Sequence, residues 1–425
     1  MKRTLAVMLL VLVSALLSGC WDKREINDLA VVVGLSIDLE EGAGGEQEVR
    51  LTFQVANPSA ILPAGAGGGG GGGGGTRAAK AYWTVSAKGR TVRAAALKIN
   101  YRVPKQLFFG HVRAHVIGEK MARSGVTPIL DRTLRSSETR ENTFIAVTKG
   151  EGKRVIEQET PVFRTSALAL NDMFTLKNGT QAIMAVTLSD FFYRLNTRTT
   201  CPVAPLVEVG PQASLTSEEK AAGSSKETIV VNGIGVFNPD GKLVDFLDER
   251  ETLGLMWVLN KVRSREITVS FPELGPDARI TLGVIRSKSS IAVKIGEDGL
   301  PGFEINVTTL CDLWEHQGHY AGMLDSKFLE NVEKAASGQI LNEIEAAVRK
   351  AQTLNCDIFG FGEEVRRQHS REWYQMKDRW KGIFPSVNVT VSSETSLRHR
   401  GLTVESPGTP EEATKPRGTY KGERE

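Results

Sequence analysis

The sequence predicts an α+β fold of more than one domain, with mixed or antiparallel β-sheets packed against helices. Its 425 residues are long for one hydrophobic core, and two or three domains are usual at this length. Runs of strand patterns are separated from runs of helix patterns, which is typical of α+β proteins. Four consecutive strand patterns between residues 266 and 310 form the clearest such run, and they predict antiparallel pairing.

The first half is predicted to begin with strands and to become largely helical. Residues 28–39 form a nearly continuous apolar run that predicts a buried strand, and apolar alternation over 48–56 predicts a half-buried one. Nine consecutive glycines lie within the segment 61–78, which we expect to be a disordered loop because glycine loses the most backbone entropy on ordering. Further strand patterns cover 82–87, 107–117 and 142–150, and helix patterns cover 91–100, 119–124, 127–135, 154–158, 166–176 and 188–195.

The second half is predicted to follow a polar linker at 216–227 and to start with a hairpin. Strand patterns at 228–237 and 243–247 flank the tetrapeptide Asn-Pro-Asp-Gly, whose Pro and Gly positions suit a type I turn. From an N-cap at Asp325, apolar residues recur with a helical period as far as Leu354. The other patterns are a helix at 249–262 and strands at 266–271, 278–287, 290–295, 303–310 and 387–392.

These patterns divide the chain after its leader into two domains. The first is predicted to cover 20–215, with a subdivision near residue 150 left open, and the second to cover 228–398. Residues 399–425 are rich in Pro, Gly and charge, and they predict a disordered tail.

The first twenty residues predict a lipoprotein signal. Two basic residues precede an apolar run at 5–17, which is too short to span a bilayer and fits a secretory signal at 1–19. The run ends in Leu-Ser-Gly-Cys, which resembles the bacterial lipobox, so we expect cleavage between Gly19 and Cys20 and acylation of the Cys20 thiol. Two acyl chains suffice for stable anchoring on the outer face of the cell membrane. The alternative is an ordinary signal peptide with an incidental cysteine.

Composition argues against several classes of partner. The net charge is +3, and it falls to +1 when Lys2 and Arg3 leave with the signal, so nothing indicates a nucleic-acid partner. Of four cysteines, Cys201, Cys311 and Cys356 remain after acylation, which allows at most one disulfide within the chain. Their spacing matches no zinc pattern, and we expect buried or half-buried free thiols without a function.

No catalytic motif is present, so the sequence predicts neither an enzyme nor a cofactor. The patterns GxxxxGK[ST], HExxH and GxSxG do not occur. His111 and His115 would share a face of the predicted strand 107–117, and His316 or His319 could add a third metal ligand. The spacing is not diagnostic, and structural or solvent-facing histidines are the preferred interpretation. No metal site is therefore predicted.

The stretch Asp-Ile-Phe-Gly-Phe-Gly-Glu-Glu at 357–364 has two interpretations. Asp357 can cap a following helical turn while Ile358, Phe359 and Phe361 fill the core, and this structural interpretation is preferred. Alternatively, exposed Phe359 and Phe361 contact a partner subunit.

Several stretches together resemble the C-subunit lipoproteins of spore germination receptors, the Ger(x)C or GerAC-like family. The resemblance extends from Cys20 to about Ser392. It is carried by SGCWDKREIND, LAVVVGLSID, LTFQVANPSA, GRTVRAA, LFFGHVRAHVIGEKMARSGV, LDRTLRSSETR, LNCDIFGFGEEVRR and WKGIFPSVNVTVS. The poly-glycine loop and the tail depart from the family pattern.

The resemblance implies a lipid-anchored, non-catalytic subunit of a nutrient germinant receptor in the spore inner membrane. Its implied partners are two integral membrane subunits, of the A and B types, and acylation carries over to Cys20 alone. A lipid-anchored solute-binding protein of a transporter is the alternative, but that class has two lobes of repeated βαβ units, unlike the predicted antiparallel run at 266–310. An envelope hydrolase is a third alternative, but the sequence contains no catalytic constellation for it.

Overall fold

A computed structural model describes residues 28–42, 44–57, 80–134, 138–160, 163–175, 183–197, 199–211, 227–272, 275, 277–317 and 326–399, together with Thr4 and Met8. Cys20, the predicted loop 61–78, nearly all of the predicted linker, the predicted N-cap Asp325 and the tail beyond His399 lie outside these residues. Within them, two mixed sheets and a set of helices confirm the predicted α+β class.

The first sheet has nine strands, in the order β3-β2-β1-β5-β6-β7-β8-β9, with β4 paired to β1 beside β5. Pairing from β1 through β5 and β6 to β7 is parallel, and both flanks of the sheet are antiparallel. The strands are β1 Leu29–Glu41, β2 Gln47–Ala56, β3 Tyr82–Gly89, β4 Gln106–Phe108, β5 Ala114–Gly118, β6 Phe144–Thr148, β7 Val203–Pro211, β8 Glu227–Phe237 and β9 Leu243–Leu247.

Six helices accompany the first sheet, and they cover it well enough to bury its central strands on both faces. They are α1 Val92–Asn100, α2 Glu119–Ser124, α3 Thr127–Leu134, α4 Gly152–Glu157, α5 Ser166–Thr175 and α6 Leu188–Thr197. All five residues of β5 are buried, as expected for a parallel strand between two helical layers. The prediction that β2 is half-buried is wrong, because residues 51–55 are all buried.

The predicted strand 107–117 is also wrong as a single element. It forms the short β4 and then β5, separated by a turn at 109–113. Both strands pair with β1, at Val31–Phe108 and again at Gly34–Ala114, so the chain gains three extra residues between the two pairings. Those residues fold out of the sheet as a turn.

The second sheet has four strands in the order β10-β11-β12-β13, antiparallel except for the parallel pair β12–β13. They are β10 Glu266–Ser270, β11 Arg279–Ile295, β12 Pro301–Gln317 and β13 Val389–His399. The two strands predicted at 278–287 and 290–295 are one strand of 17 residues, which tolerates register shifts near Leu282 and Arg286.

The helices of the second half cover this sheet and pack at its end. They are α7 Glu249–Val258, α8 Ser326–Thr353, α9 Phe361–Gln368, α10 Ser370–Met376 and α11 Trp380–Ile383. The 28-residue α8 buries its apolar stripe, and two of its side chains accept hydrogen bonds from β13 amides. For the last three helices the sequence predicted only a capped helical turn after Asp357, and no pattern predicted α10 and α11. Among the described residues, no helix is both long and apolar enough to cross a bilayer.

The predicted linker does not separate the two sheets. Strands β7 and β8, which border it, pair antiparallel from Val203–Val236 to Pro211–Glu227. The polar segment therefore connects neighbouring strands of one sheet, and the break between the sheets comes after β9. The domain limits themselves stay a prediction.

Candidate functional site at the junction of the two sheets

Asp357 organises the loop that follows α8. Its carboxylate accepts hydrogen bonds from the backbone N–H groups of Gly360, Phe361 and Gly362 at 2.8, 3.0 and 2.9 Å, and from Trp380 Nε1 at 3.2 Å. Gly360 has a φ of +81°, which glycine adopts without steric cost. The carboxylate thus satisfies the first N–H groups of α9 and caps this helix, as the sequence predicted.

The first half of the chain holds this loop from the other side. Arg194 on α6 donates from Nη1 to the carbonyl of Ile358 at 2.8 Å, and its charge faces Asp357. Burial raises the pKa of Asp357, and the hydrogen bonds it accepts offset part of that rise. Burial likewise lowers the pKa of Arg194. A buried carboxylate and a partly buried guanidinium from different halves therefore meet at one junction.

Phe359 and Phe361 fill the core of the second half. Phe361 stacks on Phe303 with ring centroids 4.3 Å apart, and on Phe359 at 5.1 Å. Their exposed fractions are 4% for Phe359 and 0% for Phe361. The structural interpretation of this stretch is confirmed, and the alternative of exposed rings that contact a partner is wrong. The glycines turn the chain so tightly that both rings point inward.

Cys201, Cys311 and Cys356 are buried, and no disulfide joins them in this structure. Cys201 lies just before β7, and its backbone N–H donates to the carbonyl of Asp357 at 2.7 Å. Cys356 is therefore a close neighbour of Cys201 across the junction. Cys311 belongs to β12, in the core of the second sheet.

The two strand histidines do not form a site. His111 is exposed in the turn before β5, whereas His115 is only 4% exposed within that strand. The idea of a shared face is wrong, because the turn interrupts the predicted strand. Burial lowers the pKa of His115 to about 4, so its imidazole is neutral at pH 7. His319 lies outside the described residues, within which no three His, Cys, Asp or Glu side chains are placed to hold a metal.

A groove of about 850 Å³ lies between α7, β10 and α8. Its base is the ion pair of Arg265 and Glu343, joined by two hydrogen bonds of 2.6 and 2.8 Å. Trp257 Nε1 also donates to Glu343, at 2.8 Å. A second cavity of about 500 Å³ shares the Arg265 and Leu253 walls and reaches β8 of the first sheet. Both volumes are in the range of ligand pockets.

The groove suits binding better than chemistry. The guanidinium and carboxylate at its base neutralise each other, and its rim carries a mixture of acidic, basic and amide side chains. The rim residues are Asp248, Glu249, Arg250, Gln339 and Asn342. Sequence reasoning missed this groove. The one local signal was Glu343, an acidic residue within the apolar stripe of α8, because such a residue is rarely buried without a partner.

Two family models match consecutive parts of the chain. One, described as the spore germination protein N-terminal domain, matches residues 22–209. The other, described as spore germination B3/GerAC like, C-terminal, matches residues 232–401. Together they cover the second sheet, most of the first sheet and the junction between them.

Individual relatives match over nearly the full length. Spore germination protein KC of Bacillus subtilis (strain 168) is 27% identical over 409 residues, which cover 94% of this chain and 97% of the relative. Spore germination protein B3 of the same strain is 24% identical, covering 88% of this chain and 91% of the relative. The crystal structure of the GerBC protein matches with a TM-score of 0.54 and 17% identity, over 88% of this chain and 99% of that one, so the fold is shared. The chain belongs to the GerAC-like family of spore germination proteins.

Proposed function

We propose that this protein is the lipid-anchored, non-catalytic C subunit of a nutrient germinant receptor complex that triggers spore germination. The observation that carries the proposal is the match of both family models, supported by relatives named as spore germination proteins that align over almost their whole length. Its partners would be two integral membrane subunits, of the A and B types. Its location would be the outer face of the spore inner membrane.

The anchor would hold the folded protein close to the bilayer. Strand β1 begins at Leu29, nine residues after Cys20. Since an extended chain spans at most about 3.5 Å per residue, the start of β1 would lie within roughly 30 Å of the acylated cysteine. The starts of the parallel strands β5 and β6 lie at the same edge of the sheet. That edge would therefore face integral partners.

The contacts at the junction favour a receptor subunit over a transporter's solute-binding protein. A solute-binding protein closes two lobes around a ligand, and a hinge of few residues must absorb the motion. Here the polar segment predicted as a linker joins two paired strands, and Arg194 and Cys201 bond to the loop of Asp357. An opening motion at this junction would break these hydrogen bonds.

The anchor is tested by replacing Cys20. Cys20→Ala spores are expected to lose incorporation of a clickable palmitate into this protein and to germinate more slowly on nutrients. Cys311→Ala is the matched control, since it removes a cysteine outside the lipobox, and it should keep the label. If Cys20→Ala protein is labelled and its spores germinate normally, the anchor is refuted.

Membership of a complex is tested by recovering the tagged full-length protein from spore membranes in mild detergent. Two multi-span proteins are expected to copurify in stoichiometric amounts. Recovery of the protein alone, together with tight binding of a nutrient by the isolated chain, would instead support the solute-binding alternative.

A further inference from the structure

Two cysteines from opposite halves of the chain meet at the junction. Cys201 precedes β7 of the first sheet, and Cys356 follows α8, which covers the second sheet. The hydrogen bond of 2.7 Å from the Cys201 N–H to the Asp357 carbonyl places the two backbones in direct contact. The exposed fractions are 2% for Cys201 and 1% for Cys356, so the pair is enclosed.

The surrounding contacts fix both segments. Arg194 bonds to the carbonyl of Ile358 at 2.8 Å, and Thr199 Oγ1 donates to Glu363 Oε1 at 3.2 Å. In sequence, both bonds lie before Cys201 on one segment and after Cys356 on the other. Together with the bond from the Cys201 N–H to the Asp357 carbonyl, they hold the two segments that carry the thiols beside each other.

Each thiol is the main interaction partner of the other. Contact with the Cys356 thiol is the largest cause that raises the pKa of Cys201, and burial adds to it. The same contact lowers the pKa of Cys356. Cys311 differs, because burial, with a smaller contribution from Asp312, raises its pKa to about 12 and no second thiol is involved. Of the pair, Cys356 gives up its proton first.

We propose that Cys201 and Cys356 form a disulfide bond that links the two halves of the protein. A disulfide needs Cα atoms about 4.4–6.8 Å apart. The backbone of Cys201 is bonded to the residue that follows Cys356, and the two thiols contact each other, so the bond needs little movement of either segment. The setting favours oxidation, because disulfides persist outside the cytoplasmic membrane. That location rests on the proposed function.

The reaction is thiol–disulfide exchange with a low-molecular-weight or protein disulfide as the oxidant. The Cys356 thiolate attacks one sulfur of the oxidant, forms a mixed disulfide and expels one thiolate. Cys201 then loses its proton and attacks the Cys356 sulfur, which expels the second thiolate. The two cysteines lose two electrons and two protons, and the oxidant becomes two thiols. Since the pair is enclosed in the folded protein, the exchange takes place as the junction forms, and the bond is afterwards shielded from reductants.

The bond would cross-link positions roughly 155 residues apart in sequence. The enclosed chain includes the strands β7 to β12 and the helices α7 and α8. Long loops lose the most conformational freedom when closed in the unfolded state, so the bond should raise the melting temperature.

The test uses full-length protein purified from membranes in detergent and denatured in iodoacetamide. With Cys20 acylated, we expect one alkylated cysteine, Cys311, and three after reduction. Peptide mass spectrometry should show Cys201 joined to Cys356. Cys311→Ser should keep the cross-link, whereas Cys356→Ser should leave Cys201 alkylated.

In a second measurement, reduced protein is refolded with glutathione disulfide. Refolding should restore the disulfide in the wild type and raise its melting temperature, whereas the melting temperature of Cys356→Ser should not rise. Three alkylated cysteines in the membrane-derived protein would overturn the inference. Acylation of Cys20 is scored in the same sample. A missing cross-link with Cys20 acylated contradicts the disulfide alone, and a missing cross-link with Cys20 unmodified contradicts the anchor as well.

Discussion

Replacing His115 should remove a specific pH dependence from the stability of the protein. The side chain lies on β5, in register with Leu35 of β1 and Ile145 of β6, and its Nε2 has no hydrogen-bond partner among the described residues. Burial lowers its pKa from the usual 6.5 to about 4. The folded protein therefore keeps this imidazole neutral at pH 5, whereas the unfolded chain protonates it.

The sign and size follow from the two pKa values. Between pH 6.5 and 4 the unfolded state binds more protons, so folding stability falls as the pH falls through this range. One pKa unit corresponds to about 1.4 kcal/mol, and the loss between pH 7 and pH 5 comes to about 2 kcal/mol. His115→Leu removes the titrating group from an apolar site of similar volume, so it should cost less than about 1.5 kcal/mol at pH 7. Between pH 7 and pH 5, His115→Leu should therefore lose about 2 kcal/mol less folding stability than the wild type.

Urea unfolding followed by circular dichroism at pH 7, 6 and 5 measures this difference. Buried carboxyl groups with raised pKa values, such as Asp38 and Asp357, act with the opposite sign, and the comparison between variants cancels their effect. His111→Leu is the matched control, because it removes an exposed histidine four residues earlier and keeps the buried His115, so the loss of stability between pH 7 and pH 5 should persist. If His115→Leu loses as much stability as the wild type between pH 7 and pH 5, the buried neutral imidazole is refuted.

Three further substitutions test the packing of the junction and groove, each by the shift in the urea midpoint. Gly254→Ala would place a Cβ 2.1 Å from the backbone oxygen of Glu343, so it should cost about 3 kcal/mol of folding stability. In the control Gly338→Ala the new Cβ meets nothing within 4 Å, and this change should stabilise its helix by up to about 1 kcal/mol. Asp357→Ala leaves four donors without an acceptor, three of them in buried bonds, and should cost roughly 3–5 kcal/mol. Its control, Asp378→Ala at an exposed position, should cost less than about 0.5 kcal/mol. Glu343→Ala leaves the buried guanidinium of Arg265 without its carboxylate partner and should cost about 3–5 kcal/mol of folding stability. A loss below about 1 kcal/mol would show that the ion pair is solvated.

The elements that sequence predicted well are those whose signal is local. The cap at Asp357 is local, because its acceptor and three backbone donors lie within five residues. The hairpin of β8 and β9 was predicted from its turn, and the turn bond from Gly241 N–H to the Asn238 carbonyl is present. In such cases the residues that stabilise the element also identify it.

The errors arose where distant residues decide the outcome. Strand β2 looked half-buried because Thr52 and Gln54 alternate with apolar residues, yet Gln54 is buried and donates to the Ile156 carbonyl at 2.8 Å. That carbonyl belongs to α4, about a hundred residues later in the chain. The polar side chain of Gln54 therefore faces a second hydrophobic core and finds its hydrogen-bond partner there. The groove was missed for the same reason, since Arg265 and Glu343 lie 78 residues apart. No local pattern predicts that two such residues will pair.

The junction determines how this protein can act within a complex. Its two sheets are connected by covalent chain after β9, by the bond of Arg194 to the loop of Asp357, and by the backbone contact of Cys201. The hydrogen bond of Cys201 is buried and that of Arg194 is partly buried, and leaving a buried partner of such a bond without a replacement costs about 1–3 kcal/mol. A ligand that opened the junction would need to offset several such losses at once. Under the proposed function, a change in the receptor would therefore move this subunit as one rigid body, and the signal would pass through its outer surfaces and not through a cleft between its halves.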